Sequence, residues 1–129
     1  RKMHEQHLYD YAVIRVVPKV EREEFINIGL MMYCKRQKYL RIDYQIPINK
    51  ILLFSPEFDI EQLKINLESF KKICAGKKEG GPIAAFEIAE RFRWLTAIKS
   101  SSIQTARPHS GFSKDLDVTF DKLYAELVL

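Results

Sequence analysis

The stretch Leu8 to Val17 constrains the fold most, because it is apolar on both faces of an extended chain. One set of alternating residues comprises Tyr9, Tyr11, Val13 and Val17, and the other comprises Ala12, Ile14 and Val16. Pro18 then ends the pattern, since proline cannot donate to a strand ladder. The stretch is therefore predicted to be an interior strand of a sheet.

Arg15 interrupts this apolar strand with a positive charge. Burying an unpaired guanidinium is costly, so the strand must supply either a carboxylate partner or a cleft. The candidate carboxylates are those of Glu23, Glu24 and Asp43. The alternative is a cation that faces a ligand, and the sequence leaves both open.

A second strand is predicted from Phe25 to Cys34, and its position is expected to be central. We assign one face to Ile26, Ile28, Leu30, Met32 and Cys34. Gly29 weakens the packing of a strand, so it indicates a β-bulge or a close approach of another group to the backbone. Asn27 either takes part in the same feature or satisfies a neighbouring backbone group.

The third predicted strand, Tyr39 to Ile46, alternates apolar and polar residues and is expected nearer an edge of the sheet. If the turn at Lys35 to Lys38 has an even number of residues, the apolar side chains lie beside Met31 and Tyr33. An odd turn or a bulge shifts them by one position. The sequence does not decide between these registers.

Helical patterns dominate the second half of the chain. Asp59 is expected to cap the first helix, with Gln62 at the capping-box position and Gly76 at the left-handed C-terminal end. The apolar stripe of this helix comprises Ile60, Leu63, Leu67, Phe70, Ile73 and Cys74. A second helical segment is predicted from Pro82 to about Leu95, with an interruption near Phe86. The final helix is capped by Asp115 or Asp117 and buries Leu116, Phe120, Leu123, Tyr124, Leu127 and Val128.

These elements predict an α+β fold: an antiparallel sheet of four to five strands with three helices packed mainly on one face. Short strands are expected at Ser101 to Thr105 and in the apolar middle of the connector Pro47 to Pro56. Residues 1–7 are assigned to a mobile tail or a cloning remnant, and residues 8–129 to a single globular domain. The hydrophobic content of 47% and charged content of 29% are ordinary for such a domain and exclude a disordered chain.

The cytoplasm is the expected compartment, because the sequence shows neither a signal peptide nor an apolar run long enough to span a membrane. Cys34 and Cys74 are expected to be free and buried, and no metal site or cofactor is predicted. The net charge of +4 reflects a near balance of 21 basic and 17 acidic residues, which is a weak signal for nucleic-acid binding.

Candidate site residues concentrate between Glu90 and Gly111. This stretch contains the single tryptophan of the chain, Trp94, together with Arg91, Gln104 and His109. Trp94 stacks on a base, anchors a partner or belongs to the core, and Arg91 either grips an anion or serves the helix dipole. We expect Arg91, Gln104 and His109 in one neighbourhood, with a turn at Pro108 to Gly111 bringing His109 to its rim.

The chain also contains an ordered set of motifs: YDYAVIRVVP from Tyr9, REEFINIG from Arg22, ERFRWLTA from Glu90, S-x-x-x-Q-T from Ser100, and PHSG from Pro108. In this set the chain resembles the bacterial family called domain of unknown function 3037, from about Tyr9 to Leu127. One departure is Ser110, where the family more often has threonine. The resemblance implies no reaction, but it implies a protein partner, a kinase resembling the toxin HipA.

Three functions are compatible with these observations. The first is a non-catalytic interaction module that binds a protein partner. The second is a small enzyme or a protein that binds a nucleotide or another anion through Arg15, Arg91 and His109. The third is a nucleic-acid-binding protein. A closed pocket lined by those three side chains would favour the second, whereas a flat patch would favour the first. Because no nucleophile elbow or metal-binding spacing is present, a non-catalytic role is preferred.

Overall fold

The computed structural model describes residues 5–18, 24–97 and 102–129. Five strands and four α-helices occur in these ranges: β1 His7–Val16, β2 Ile26–Cys34, β3 Tyr39–Tyr44, α1 Ile48–Phe54, α2 Ile60–Ala75, α3 Ile88–Ala97, β4 Ile103–Thr105, β5 His109–Ser113 and α4 Leu116–Leu127. Two short 3₁₀ turns, Lys78–Gly80 and Pro82–Ala85, join α2 to α3. The predicted α+β class is confirmed, with one helix more than expected.

The sheet is antiparallel and has β1 in its interior, as predicted. β2 pairs with one side of β1 and with β3 beyond it. On the other side, β4 pairs with residues 14–16 of β1 and β5 with residues 7–11. β4 and β5 therefore form one interrupted edge, and Pro108 lies in the short gap between them.

Helices cover both faces of this sheet. The larger core lies between the sheet and the first three helices and includes Ile14, Val16, Ile26, Ile28, Met31, Ile42, Ile51, Leu63, Leu67, Phe70, Phe92, Leu95 and Ile103. The smaller core lies against α4 on the opposite face and includes Tyr9, Val13, Leu30, Met32, Cys34, Leu116 and Phe120. Three of the four helices thus share one face.

A β-bulge in β2 changes which residues face each core. Ile14 pairs with Gly29, but Arg15 pairs with Asn27, so Ile28 is an extra residue. A Cβ atom at Gly29 would lie 2.8 Å from the carbonyl oxygen of Asp43, so the strands also approach closely there. The prediction of one continuous face through β2 is therefore wrong beyond the bulge, where the face that began with Ile26 and Ile28 continues with Met31 and Tyr33.

The β2–β3 connection has the even register. Met31 pairs with Ile42 and Tyr33 with Leu40 across a four-residue turn. Lys38 closes this turn with a positive φ of 53°.

The connector after β3 forms helix α1 instead of the expected short strand. The N–H of Ile51 donates to the carbonyl of Pro47 at 3.0 Å and closes the first helical turn. Ile51 and Phe54, three residues apart, both pack on the larger core, while Leu53 is 84% exposed. A short apolar run fits a strand or a helix equally well by pattern, and burial on one side selects the helix here.

The predicted ends of α2 and the predicted start of α4 are confirmed. The Asp59 carboxylate accepts from the N–H of Gln62 at 2.9 Å, and Gly76 ends α2 with a φ of 71°. Asp115, one of the two expected caps of α4, accepts from the N–H of Val118. The expected interruption lies at Phe86, whose extended backbone separates the second 3₁₀ turn from α3.

The residues that precede β1 contact the β2–β3 turn. Glu5 forms an ion pair with Arg36 at 2.7 Å, and β1 begins at His7. Part of the stretch assigned to a tail is thus joined to the sheet.

Candidate functional site

The six predicted site residues divide between the two faces of the sheet. Arg15, Asn27, Gln104 and His109 lie on the α4 face, and Arg91 and Trp94 belong to α3 on the other. Arg15 fixes this assignment, because its neighbours Ile14 and Val16 both point into the core beneath α1 to α3. Asn27 and Gln104 are its cross-strand partners and share its direction.

The predicted neighbourhood of Arg91, Gln104 and His109 is therefore wrong. The short connection does place β4 beside α3, as the hydroxyl of Thr105 shows by donating to the carbonyl of Thr96 at 2.6 Å. Strand alternation, however, turns the residue next to Thr105 away from α3. Ser101, the first residue of the predicted strand Ser101 to Thr105, lies outside the described residues.

Arg91 and Trp94 have separate surroundings on α3. The Arg91 guanidinium donates to the carbonyl of Ala84 at 3.3 Å and lies against Gly76, where an added Cβ would collide with it. Arg91 also lies near Cys74, whose thiol has a pKa raised to about 12 by burial and lowered in part by this positive charge. Trp94 is 39% exposed and does not belong to the core. Arg91 thus holds the end of α2 instead of reaching a shared cleft.

Gln104, Arg15 and Asn27 form a row across β4, β1 and β2. The Arg15 guanidinium carbon lies 4.1 Å from the centre of the Phe25 ring, a cation–π contact, and its Nε has no hydrogen-bond partner. Asn27 donates from Nδ2 to the carbonyl of Leu127 at 3.1 Å, at the C-terminal end of α4. The alternative in which Asn27 satisfies a backbone group is the one observed.

Asp43, one of the expected carboxylate partners of Arg15, lies 4.0 Å from Arg41. Glu23, another expected partner, lies outside the described residues. Arg15 is half-buried and not free in bulk solvent.

Two of the sequence motifs meet directly at β1 and β5. Tyr9 pairs with Gly111, Asp10 with Ser110, and Tyr11 with His109. The Ser110 hydroxyl donates to the Asp10 carboxylate, and the Tyr11 and His109 rings lie 5.6 Å apart. Residues far apart in the chain are thus joined pair by pair.

The predicted turn at Pro108 to Gly111 is wrong, because His109–Ser113 is strand β5. Gly111 makes room for a side chain instead of reversing the chain. A Cβ atom there would lie 2.5 Å from the Tyr9 hydroxyl oxygen, so the tyrosine lies across the glycine backbone. Burial beneath α4 raises the pKa of the Tyr9 hydroxyl, with a smaller contribution from Tyr11.

The pairing of Leu8 with Phe112 adds an apolar element beside this motif. The two side chains are 55% and 64% exposed, although they lie directly opposite each other on adjacent strands. They lie on the same sheet face as Asp10 and Ser110. We call the surface formed by Leu8, Asp10, Ser110 and Phe112 the β5 edge.

The backbone of β5 is paired on one side, and alternation along β1 shows which residues use that side. The carbonyl of Val13 accepts from the N–H of Ala106, so the odd-numbered residues of β1 direct their backbone groups toward β4 and β5. Their partners in β5 are His109, Gly111 and Ser113, and these residues direct their backbone N–H and C=O groups toward β1. Ser110 and Phe112 therefore direct their N–H and C=O groups outward, away from β1.

Sequence reasoning missed Leu8 and Phe112. Leu8 belongs to a strand whose apolar pattern predicts an interior position, and Phe112 follows a stretch whose proline and glycine predict a turn. The available signal was the continuous run from His109 to Ser113, in which no residue forbids a strand.

A separate groove of about 440 Å³ lies between the β2–β3 turn and the start of α3. Its walls include Tyr33, Lys35, Lys38, Glu87, Ile88 and Ala89, none of which was a predicted site residue. Within residues 5–18, 24–97 and 102–129, no group of three His, Cys, Asp or Glu residues could hold a metal ion. No helix in those ranges has the length and apolar character needed to cross a bilayer.

Comparison with known proteins gives a family and no closer relative. No curated protein matches the chain. No solved structure matches it either. A family model does match residues 11–128, which include all six predicted site residues together with Ser110 and Phe112 of the β5 edge. The chain therefore belongs to the family described as "Protein of unknown function (DUF3037)".

Proposed function

We propose that this chain is a non-catalytic interaction module that binds a protein partner along the β5 edge. The observation that carries the proposal is the exposed Leu8 and Phe112 pair beside outward backbone groups of an edge strand. Edge strands are the sites at which a sheet accepts another chain, and proteins usually blunt them. Adjacent exposed apolar side chains at such an edge favour association.

The arrangement of cations supports this function over anion binding. Arg15 lies on the α4 face and contacts Phe25, whereas Arg91 lies on the other face and contacts Ala84. His109 lies beside Tyr11 at the edge. A single anion could not contact Arg15 and Arg91 together, because the sheet separates them.

A kinase resembling HipA, the partner class that the family resemblance implies, is the first protein to test. We place the interaction in the cytoplasm. Cys34 and Cys74 are both free and buried, which fits a reducing compartment.

Capture of bound proteins from the native host, followed by mass spectrometry, would supply partner candidates, and binding to each purified candidate would then be measured. Phe112→Ser is expected to weaken binding at least about tenfold, since truncating an aromatic hot-spot residue costs about 2 kcal/mol or more. Ile65→Ser is the matched control, because Ile65 is 61% exposed on α2 and Phe112 is 64% exposed. Equal affinities of the two variants would contradict the proposal.

Thermal unfolding of the same samples checks that each variant is folded. Leu8→Ser serves as a second variant, because it removes the other half of the apolar pair without altering β5. The proposal predicts weaker binding by Leu8→Ser and Phe112→Ser, with thermal unfolding close to that of the unsubstituted chain. If either variant bound the partner with unchanged affinity, the β5 edge would not be the docking surface.

A further inference from the structure

Two cations flank β5 along the chain, and Asp115 directly follows the second of them. Arg107 precedes β5, Lys114 follows it, and both are exposed. At about 3.3 Å per residue, the two cations lie roughly 23 Å apart along an extended chain. A partner segment that extends past both ends of β5 therefore meets Arg107 at one end and Lys114, which lines a shallow pocket with Asp115 and Asp117, at the other.

One carboxylate, that of Asp10, lies near the middle of this surface. Asp10 accepts the hydrogen bond of the Ser110 hydroxyl. Ser110 and Phe112 leave their N–H and C=O groups directed outward, at the two-residue spacing that a neighbouring strand requires. Phe112 adds an exposed apolar side chain at the same position. The surface thus combines a backbone template, one apolar contact and two flanking cations.

We propose that the partner segment is acidic and extended, and that it adds to the sheet beside β5 as a further strand. This inference rests on the proposed function and specifies the chemistry of the partner. Main-chain hydrogen bonds to Ser110 and Phe112 provide the pairing, and carboxylates of the segment face Arg107 and Lys114. A nucleic acid would use the same cations, but it would have no need of the edge backbone or of Phe112.

Selection from a display library of random decapeptides tests the chemistry directly. The immobilised full chain is the target, and peptides that also bind Phe112→Ser are removed. The expected peptides carry net negative charge, contain apolar residues at alternate positions and lack proline in the paired segment. A selection that yields basic or neutral peptides, or none that depends on Phe112, would overturn the inference.

Charge reversal at the two cations provides the second measurement. The double variant Arg107→Glu, Lys114→Glu is expected to bind a selected peptide at least about tenfold more weakly in low salt. Lys35→Glu, Lys38→Glu is the matched control, because it makes the same charge change at two exposed lysines of the β2–β3 turn. Equal losses in both double variants would show a general charge effect and refute a specific role for Arg107 and Lys114.

Backbone pairing is tested with the same peptide after methylation of alternate backbone nitrogens. Methylation of the nitrogens that face β5 should abolish binding, whereas methylation of the intervening nitrogens should preserve it. Equal binding by both methylated forms would rule out strand addition. Binding of a twenty-nucleotide oligothymidine that required Arg107 and Lys114 but not Phe112 would also count against the inference.

The two proposals can fail separately. If the natural partner requires Phe112 but binds through a folded surface or a basic segment, strand addition by an acidic segment is wrong and the docking edge remains. If Phe112→Ser leaves the natural partner bound, the docking edge itself is wrong.

Discussion

Arg15 shows how a charged side chain is accommodated in an interior strand of this protein. Its guanidinium lies over Phe25, and its cross-strand neighbours are Asn27 and Gln104. If this role is structural, Arg15→Met should be tolerated better than Arg15→Ala, because methionine restores the volume while both changes remove the charge. We expect Arg15→Ala to lower the free energy of unfolding by about 1–2 kcal/mol and Arg15→Met by less than about 1 kcal/mol. Urea denaturation measures both; a larger loss for methionine would show that the charge is needed.

Cys74 makes the stability of the fold sensitive to alkaline pH. Burial raises the pKa of its thiol from 9.0 to about 12, so the native protein keeps the proton after the unfolded chain has lost it. Stability is therefore lost as pH rises above about 9, and the Cys74 contribution reaches about 1.4 kcal/mol by pH 10.

Cys74→Ala isolates this contribution from that of the buried tyrosines. We expect the free energy of unfolding of the unsubstituted chain to fall, relative to the variant, by about 1.4 kcal/mol between pH 8 and pH 10. Chemical denaturation at the two pH values measures the difference. If the difference in the free energy of unfolding between the two chains did not change with pH, the Cys74 thiol would not be the cause of the loss of stability.

At the scale of elements, the bulge in β2 determines which residues reach each core. A Cβ at Gly29 would lie 2.8 Å from the Asp43 carbonyl oxygen and 2.9 Å from Tyr44 Cβ, and neither atom is the end of a flexible side chain. Gly29→Ala should therefore lower the free energy of unfolding by about 2–3 kcal/mol, because β3 must move away from β2. Denaturant unfolding provides the measurement. A loss below about 0.5 kcal/mol would mean that the strands separate easily at this point.

The elements that were predicted correctly are those whose signals are local. Asp59 and Gly76 mark the ends of α2 by their own backbone chemistry, and Gly29 indicates its bulge because it lacks a side chain. The incorrect predictions concern features that depend on pairing with other strands. The fit of Gly111 against Tyr9 depends on a pairing across about a hundred residues, so the local pattern suggested a turn. The side of the sheet on which Gln104 lies depends on its register with Arg15, which the length of the α3–β4 connection does not determine.

At the scale of the whole molecule, helices cover both faces of the sheet and leave its edges for interaction. α1, α2 and α3 pack on one face and α4 on the other. One edge is β3, whose Arg41 binds Asp117 and Asp121 of α4. The other edge is formed by β4 and β5 and carries the exposed Leu8 and Phe112 pair. The second edge is therefore the one on which we place the partner.

Amide hydrogen exchange, measured residue by residue on the free chain and on its complex with the purified partner, tests the docking edge most directly. In the free chain, the outward amides of Ser110 and Phe112 should exchange faster than the inward amide of Gly111, which pairs with Tyr9. In the complex, exchange at Ser110 and Phe112 should slow at least about tenfold, while exchange in β3 stays unchanged. Unchanged exchange at Ser110 and Phe112 in a fully formed complex would contradict the account.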